Sequence, residues 1–137
     1  MSMTQTIAGG GVLGAFLIAV VGPLLPEPPV VKIHSLEFDG ETVLQDRTIS
    51  GDADRMPVFW MANVIDANTG LAVHKCSGDG GFPYPVGRDL VTMDLPHWTG
   101  REGCTPEAIG PGEYVLQATW TWNGGQTSAQ SDPFRIE

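Results

Sequence analysis

The side chains in this sequence best suited to metal binding or nucleophilic chemistry are two cysteines and three histidines. The cysteines are Cys76 and Cys104, and the histidines are His34, His74 and His97. The sequence contains no His-Glu-x-x-His, Cys-x-x-Cys or Gly-x-Ser-x-Gly motif and no phosphate-binding glycine loop. Cysteines that are bonded to each other serve neither as metal ligands nor as nucleophiles. We therefore expect a noncatalytic protein without a metal or a cofactor.

A disulfide between Cys76 and Cys104 is the expected use of the two cysteines. They follow an apolar N-terminal segment that is typical of export, and disulfides form and persist outside the reducing cytosol. Closing the intervening loop stabilises the fold by about 3.5 kcal/mol on the chain-entropy model. The residues between the two cysteines are rich in types that do not form helix, and they include a predicted strand at Asp89–Leu95.

The disulfide-closed loop and its margins carry the best candidates for a binding surface. Aromatic and arginine side chains are favoured anchors in interfaces, and loops on a rigid scaffold often make the contacts. The predicted binding residues are Phe82, Tyr84, Arg88, Trp98 and Arg101. The alternative is that the rings pack over the disulfide as a small satellite core.

The N-terminal segment is apolar and divides the chain. Residues 7–25 carry no charged side chain and, as a helix, would span about 28 Å, enough for a bilayer core. An uncleaved signal anchor or transmembrane helix at residues 1–25, a cleaved signal peptide and an apolar arm inserted into an assembly all fit this run. Gly10 and Gly14 have the small-xxx-small spacing of a homo-oligomer contact in lipid. We expect a proline-rich spacer at residues 26–29 and a folded domain at residues 30–137.

The charge distribution excludes one class of partner. The formal net charge is −9, and every charged residue lies from Glu27 onward. An acidic domain is repelled by phosphate backbones, so we expect no nucleic-acid binding.

The strongest strand signal runs from Gly112 to Asn123. Alternate residues from Tyr114 to Trp122 are apolar or aromatic and their neighbours are mostly polar, which is the period of a half-buried strand. Asn123-Gly124-Gly125 then predicts a hairpin turn. The predicted strands are Val30–Phe38 with a register change, Val43–Ser50, Val58–Ile65, Leu71–Lys75, Asp89–Leu95, Gly112–Asn123 and Gln126–Ile136. Trp60 is the predicted core anchor.

The residues before the central strand carry a family resemblance. Ile109, Gly112 and Tyr114 resemble the tyrosine corner of fibronectin type III and other immunoglobulin-like domains. The resemblance implies that Tyr114 hydrogen-bonds a nearby backbone carbonyl and that Trp60 is the central core tryptophan. Leu116 stands where antibody domains have their sheet-bridging cysteine. The expected fold is all-β, an immunoglobulin-like antiparallel β-sandwich of about seven strands preceded by an N-terminal apolar helix.

Two functions fit this layout. The first is a membrane-anchored binding module for a protein or a glycan, with its domain in the periplasm or the extracellular space. The second is a structural subunit of a phage particle or an envelope assembly, since a short span followed by a small sandwich resembles small proteins of phages and bacteria.

Overall fold

Strands dominate the structure, as the alternation of apolar and polar residues predicts. The computed structural model describes residues 29–54, 56–81 and 84–137. Its strands are β1 (Val31–Phe38), β2 (Val43–Ile49), β3 (Phe59–Asp66), β4 (Ala72–Gly81), β5 (Gly87–Met93), β6 (Gly112–Trp122), β7 (Gly125–Gln130) and β8 (Phe134–Ile136). The helices are short, with α1 at Leu95–Thr99 and α2 at Pro106–Ile109, and a 3-10 helix is present at Gly51–Asp54.

The strands form two antiparallel sheets that enclose one core. The first sheet has the order β1-β2-β5, and the second has the order β4-β3-β6-β7, with β8 pairing to the start of β6. The predicted all-β sandwich is confirmed. The inward side chains that fill the space between the sheets include Val31, Leu36, Val43, Ile49, Val58, Ala62, Val64, Leu116, Ala118 and Trp120.

The predicted last strand is divided into β7 and β8. Ser131 interrupts it, because its backbone N–H donates to the carbonyl of Leu116 at 2.9 Å while its Oγ accepts from the Leu116 N–H at 2.8 Å. Pro133, which has no N–H to donate, follows shortly after. The described part therefore holds eight strands rather than about seven.

Two local predictions are confirmed. The ladder between β1 and β2 shifts register between Ile33 and Ser35, where the sequence changes its apolar alternation. At the start of β6, the Tyr114 hydroxyl donates to the carbonyl of Gly110 at 3.0 Å, which is the hydrogen bond that the tyrosine-corner resemblance implies. This bond fixes the loop that carries α2 against the start of β6.

The two sheets are joined differently at their two sides. Near β1 and β7, the Thr127 Oγ1 donates to the backbone carbonyl of Val31 at 2.8 Å. At the opposite side, between β5 and β4, the chain inserts α1. Asp94 caps this helix, because its Oδ1 accepts from the His97 N–H at 2.9 Å and Pro96 suits the first turn. The predicted strand Asp89–Leu95 therefore ends at Met93 instead.

The strand that carries Cys76 is longer than predicted. The sequence predicts a short strand from Leu71 to Lys75 followed by a loop, whereas β4 continues through three glycines to Gly81. Strand β3 pairs with this extension, from Asn63 opposite Ser77 to Phe59 opposite Gly81. Glycine is weakly strand-forming, so ladder pairing and the cover of α1 override its local preference.

The predicted disulfide between Cys76 and Cys104 is confirmed. Both cysteines are fully buried, and their Cα atoms are 4.9 Å apart. The bond joins the middle of β4 to the loop that follows α1. The short helix is therefore clamped against the second sheet from its C-terminal side.

Trp60 is not the core anchor that the sequence predicts. Its side chain is partly buried on the inner face of β3, whereas Trp120 on β6 and Trp98 on α1 are the most deeply buried tryptophans of the described part. Strand β3 lies beside the open side of the sandwich, so Trp60 borders a cavity there, while Trp120 lies deeper between the sheets.

The predicted N-terminal elements lie outside the described residues. These are the anchor at residues 1–25, its Gly10 and Gly14 contact, and most of the spacer at residues 26–29. Within the described ranges, no helix has the length and apolar character needed to cross a bilayer.

Gly78 provides a test of how α1 packs. A Cβ built on Gly78 would lie 1.8 Å from the backbone oxygen of Thr99, so helix and strand would have to separate. We expect Gly78→Ala to lower the free energy of unfolding by about 2 kcal/mol, a typical cost of overpacking. Urea unfolding followed by tryptophan fluorescence measures the loss. Gly51→Ala is the matched control, since its Cβ would meet nothing within 4 Å. Equal losses in the two variants would contradict this packing.

Candidate functional site

A cavity of about 250 Å³ lies between the two sheets at their open side. Strands β2 and β5 form one wall, β3 and β6 form the other, and α1 and Tyr84 close the remaining sides. Aromatic rings dominate the lining, with polar groups at a few points. The lining residues are Gln45, Arg47, Trp60, Met61, Ala62, Tyr84, Val91, Met93, His97, Trp98, Ala118 and Trp120.

The alternation of β2 directs two polar side chains into this space. Val43, Gln45, Arg47 and Ile49 share the inner face of the strand, and all four are buried. The two apolar residues at the ends of β2 fix which face points inward. The two polar residues between them must therefore be accommodated inside the sandwich.

Two indole N–H groups in the cavity wall donate hydrogen bonds to neighbouring polar side chains. The Trp98 Nε1–H donates to Gln45 Oε1 at 3.1 Å, which links α1 to the first sheet. The Trp120 Nε1–H donates to the Tyr84 hydroxyl at 3.2 Å, which links the second sheet to the segment before β5. Buried indoles generally need such partners. These bonds fix the rings that line the cavity.

Arg47 is the unusual group in this wall. Its side chain is only 9% exposed, and its guanidinium carbon lies 4.7 Å from the centre of the Tyr84 ring. In the part of the chain that the structure describes, no carboxylate comes within 4.0 Å of the guanidinium. Asp89 is opposite Arg47 in the ladder, but it is exposed. Arg47 is thus a buried cation stacked on an aromatic ring.

Burial shifts the pKa values of both members of this pair. Loss of hydration lowers the pKa of the Arg47 guanidinium, and the neighbouring Tyr84 and Asp89 act in the opposite direction. Burial also raises the pKa of the Tyr84 hydroxyl, with the Trp120 hydrogen bond and the Arg47 charge opposing it. Desolvation is the larger effect in each case, so the pair lies in a poorly hydrated environment.

Two of the five predicted binding residues meet in the cavity. Trp98 is 5% exposed and Tyr84 is 6% exposed, and both line the same space. They are therefore buried wall residues rather than a surface of projecting rings. Phe82 lies outside the described residues.

The two predicted arginines lie elsewhere. Arg88 is on the outer face of the first sheet, where its Nη2 and Nε donate to the carboxylate of Asp46 at 2.9 and 3.2 Å. The hydrogen bond from Arg88 holds the pKa of the Asp46 carboxyl below its usual range. Arg101 is exposed after α1, and its Nη1 donates to the carbonyl of Ser77 at 3.3 Å. Neither arginine lines the cavity.

A second surface feature lies on the outside of the second sheet. Phe59 and Met61 are neighbouring outward residues of β3, and they are 56% and 55% exposed. Around them are uncharged hydroxyl and amide side chains on four strands: Asn63, Ser77, Gln117, Thr119, Thr121, Gln126, Ser128 and Gln130. Asp79 adds one charge at the β4 edge. We call this surface the β3 face.

Sequence reasoning missed Gln45, Arg47 and the β3 face. Strict alternation from Val43 to Ile49 could have identified the first two, because the apolar ends of the strand share a face with them. The β3 face requires the strand order, since its residues come from four separated segments.

In comparisons with known proteins, no protein-family model matches this chain and no curated protein matches it.

The titration of Tyr84 gives a test of its burial. Because the folded-state pKa is raised, the stability contributed by the neutral hydroxyl is fully present below about pH 10 and is lost as the pH rises through the folded-state value. When the pH is raised from 7 to above the folded-state pKa of Tyr84, the free energy of unfolding should therefore fall more for the wild type than for Tyr84→Phe. Urea unfolding of both proteins at each pH measures the difference. Parallel pH profiles would show that Tyr84 is solvated.

Proposed function

We propose that this protein is a noncatalytic, immunoglobulin-like binding module that is held at a membrane and displayed outside the cytoplasm. The apolar run at residues 7–25 supports the tether. The Cys76–Cys104 disulfide supports an oxidising compartment, the periplasm or the extracellular space.

The strand order supports the immunoglobulin-like assignment. Strands β1, β2 and β5 take the places of strands A, B and E, and β4, β3, β6 and β7 take those of C′, C, F and G. The Tyr114 hydrogen bond lies at the expected corner before the strand in the F position. Trp120, on that strand, takes the central position that the resemblance assigns to a tryptophan on β3.

The β3 face is the observation that carries the binding proposal. Protein interfaces are enriched in aromatic residues and methionine and are depleted of charge at their centre. Phe59 and Met61 form such a centre, and hydroxyl and amide groups surround it. In a chain of net charge −9, this surface carries a charge only at Asp79 on its β4 edge, so it is well suited to another protein rather than to a charged polymer. Arg101 lies at the β4 margin of the β3 face, where it donates a hydrogen bond to the backbone carbonyl of Ser77.

A capture experiment with the full chain tests this proposal. The immobilised protein is exposed to an extract of its native source, and the bound protein is identified and titrated against variants. We expect Phe59→Ser with Met61→Ser to weaken the complex at least about tenfold, because central anchors dominate binding energy. Leu90→Ser is the matched control, since Leu90 is 61% exposed on the outer face of the other sheet.

Three outcomes would overturn the proposal. Equal affinities for the double variant and the Leu90→Ser control would exclude the β3 face. Complexes destroyed by glycosidases would indicate a glycan ligand instead. Recovery only within a large particle at fixed stoichiometry would favour the structural-subunit function, which the layout of the chain also fits.

A further inference from the structure

We propose that the cavity between the sheets is a binding site for a small organic anion, specifically a monocarboxylate attached to an aromatic ring. This site is separate from the β3 face and does not depend on a protein partner. Three features of its wall define the ligand: a buried cation, a set of aromatic surfaces and a limited volume.

The buried cation defines the charge of the ligand. Arginines are rarely this deeply buried unless they are paired, because the ion loses its hydration. Arg47 is 9% exposed, and no carboxylate of the described residues lies within 4.0 Å of it. A carboxylate bound from the cavity would supply a counter-charge in direct contact with the guanidinium, closer than exposed Asp89, through charge-assisted hydrogen bonds. Gln45, two residues before Arg47 on the same face of β2, provides a second donor. Its Oε1 accepts from the Trp98 indole, so its amide nitrogen is the end that would donate to the ligand.

The remaining wall defines the body of the ligand. Trp60, Trp98, Trp120 and Tyr84 offer ring surfaces, and the Trp98 and Trp120 N–H groups already have partners. These walls favour stacking with an aromatic group over hydrogen bonding with a sugar. An aromatic enclosure also suits cations, but Arg47 would repel a cationic ligand.

The volume sets the size of the ligand. At about 250 Å³ the cavity is larger than the roughly 150 Å³ engineered site that holds benzene. It is smaller than most sites for drug-sized molecules, which begin near roughly 300 Å³. A single ring with a short acid side chain is of intermediate size. Exposed His97 lies where the cavity meets solvent, and it marks the entrance.

Titration of the full chain in lipid nanodiscs tests the proposal with three probes of the same shape. The probes are 3-phenylpropionate, its neutral amide and the cationic 3-phenylpropylamine, each measured by calorimetry against empty nanodiscs. We expect the carboxylate to bind at least about tenfold more tightly than the amide, consistent with a charge-assisted bond. The amine should bind more weakly than both. Equal binding of the three probes, or no binding of the carboxylate, would overturn the proposal.

A pair of arginine variants locates the charge. Arg47→Met keeps an unbranched apolar side chain in place of the arginine stem and removes the charged guanidinium, so it should abolish the preference for the carboxylate over the amide. Arg88→Met is the matched control, because Arg88 lies on the outer face of the same sheet and pairs with Asp46. It should leave the preference unchanged. A preference that persists in Arg47→Met, or that is lost equally in Arg88→Met, would overturn the assignment. If Arg47→Met does not fold, the comparison of the three probes on the wild-type protein still decides the question.

Discussion

The rest of this structure depends on one contact. Trp98 inserts between the two sheets at the side that they would otherwise leave open. On the β1–β7 side the sheets approach closely enough for Thr127 to bond the backbone of Val31. On the other side, α1 supplies the missing layer and places the indole against Gln45. The glycine at position 78 allows α1 to approach the strand, and the disulfide keeps it there.

This way of closing the sandwich explains why its interior is partly polar. A helix of five residues cannot fill the space between two sheets, so a cavity is left beside it. Gln45 and Arg47 occupy inward positions of β2 next to that cavity, where apolar residues would give a more stable core. Buried polar groups cost stability unless they are satisfied, and Arg47 is satisfied mainly by the face of Tyr84. A fold that keeps such a group beside a cavity is well suited to hold a ligand of opposite charge.

Much of the scaffold could be predicted from local patterns in the sequence. The alternation in β6, the register change in β1 and the hydrogen bond from Tyr114 to a backbone carbonyl each depend on neighbouring residues, and all three are confirmed. The disulfide followed from there being two cysteines and from the expected compartment. The extension of β4 through glycines could not be predicted in this way, because tertiary pairing determines it. The helix α1 has a local start signal in Asp94 and Pro96, but its five residues are too few to show a helical apolar period.

The candidate sites were less accessible to sequence reasoning. Trp98 and Tyr84, two of the predicted binding residues, line the cavity, but their burial depends on how α1 and the segment before β5 fold back over the sandwich. Arg47 alone gives no signal of burial, because charged residues are normally exposed. Its inward orientation follows only when Val43 and Ile49 are assigned to the same buried face. The β3 face is a property of the sheet order, since no single segment carries it.

Hydrogen exchange of the tryptophan indole protons, followed by NMR on the full chain, tests most directly whether Trp98 closes the sandwich. The indole proton of Trp98 should exchange only through global unfolding, as slowly as that of buried Trp120, and reduction of the disulfide should accelerate it selectively. The half-buried Trp122 at the end of β6 provides the internal reference for a more accessible ring. A Trp98 indole that exchanges as fast as that of Trp122 with the disulfide intact would show that the open side of the sandwich is not closed in this way.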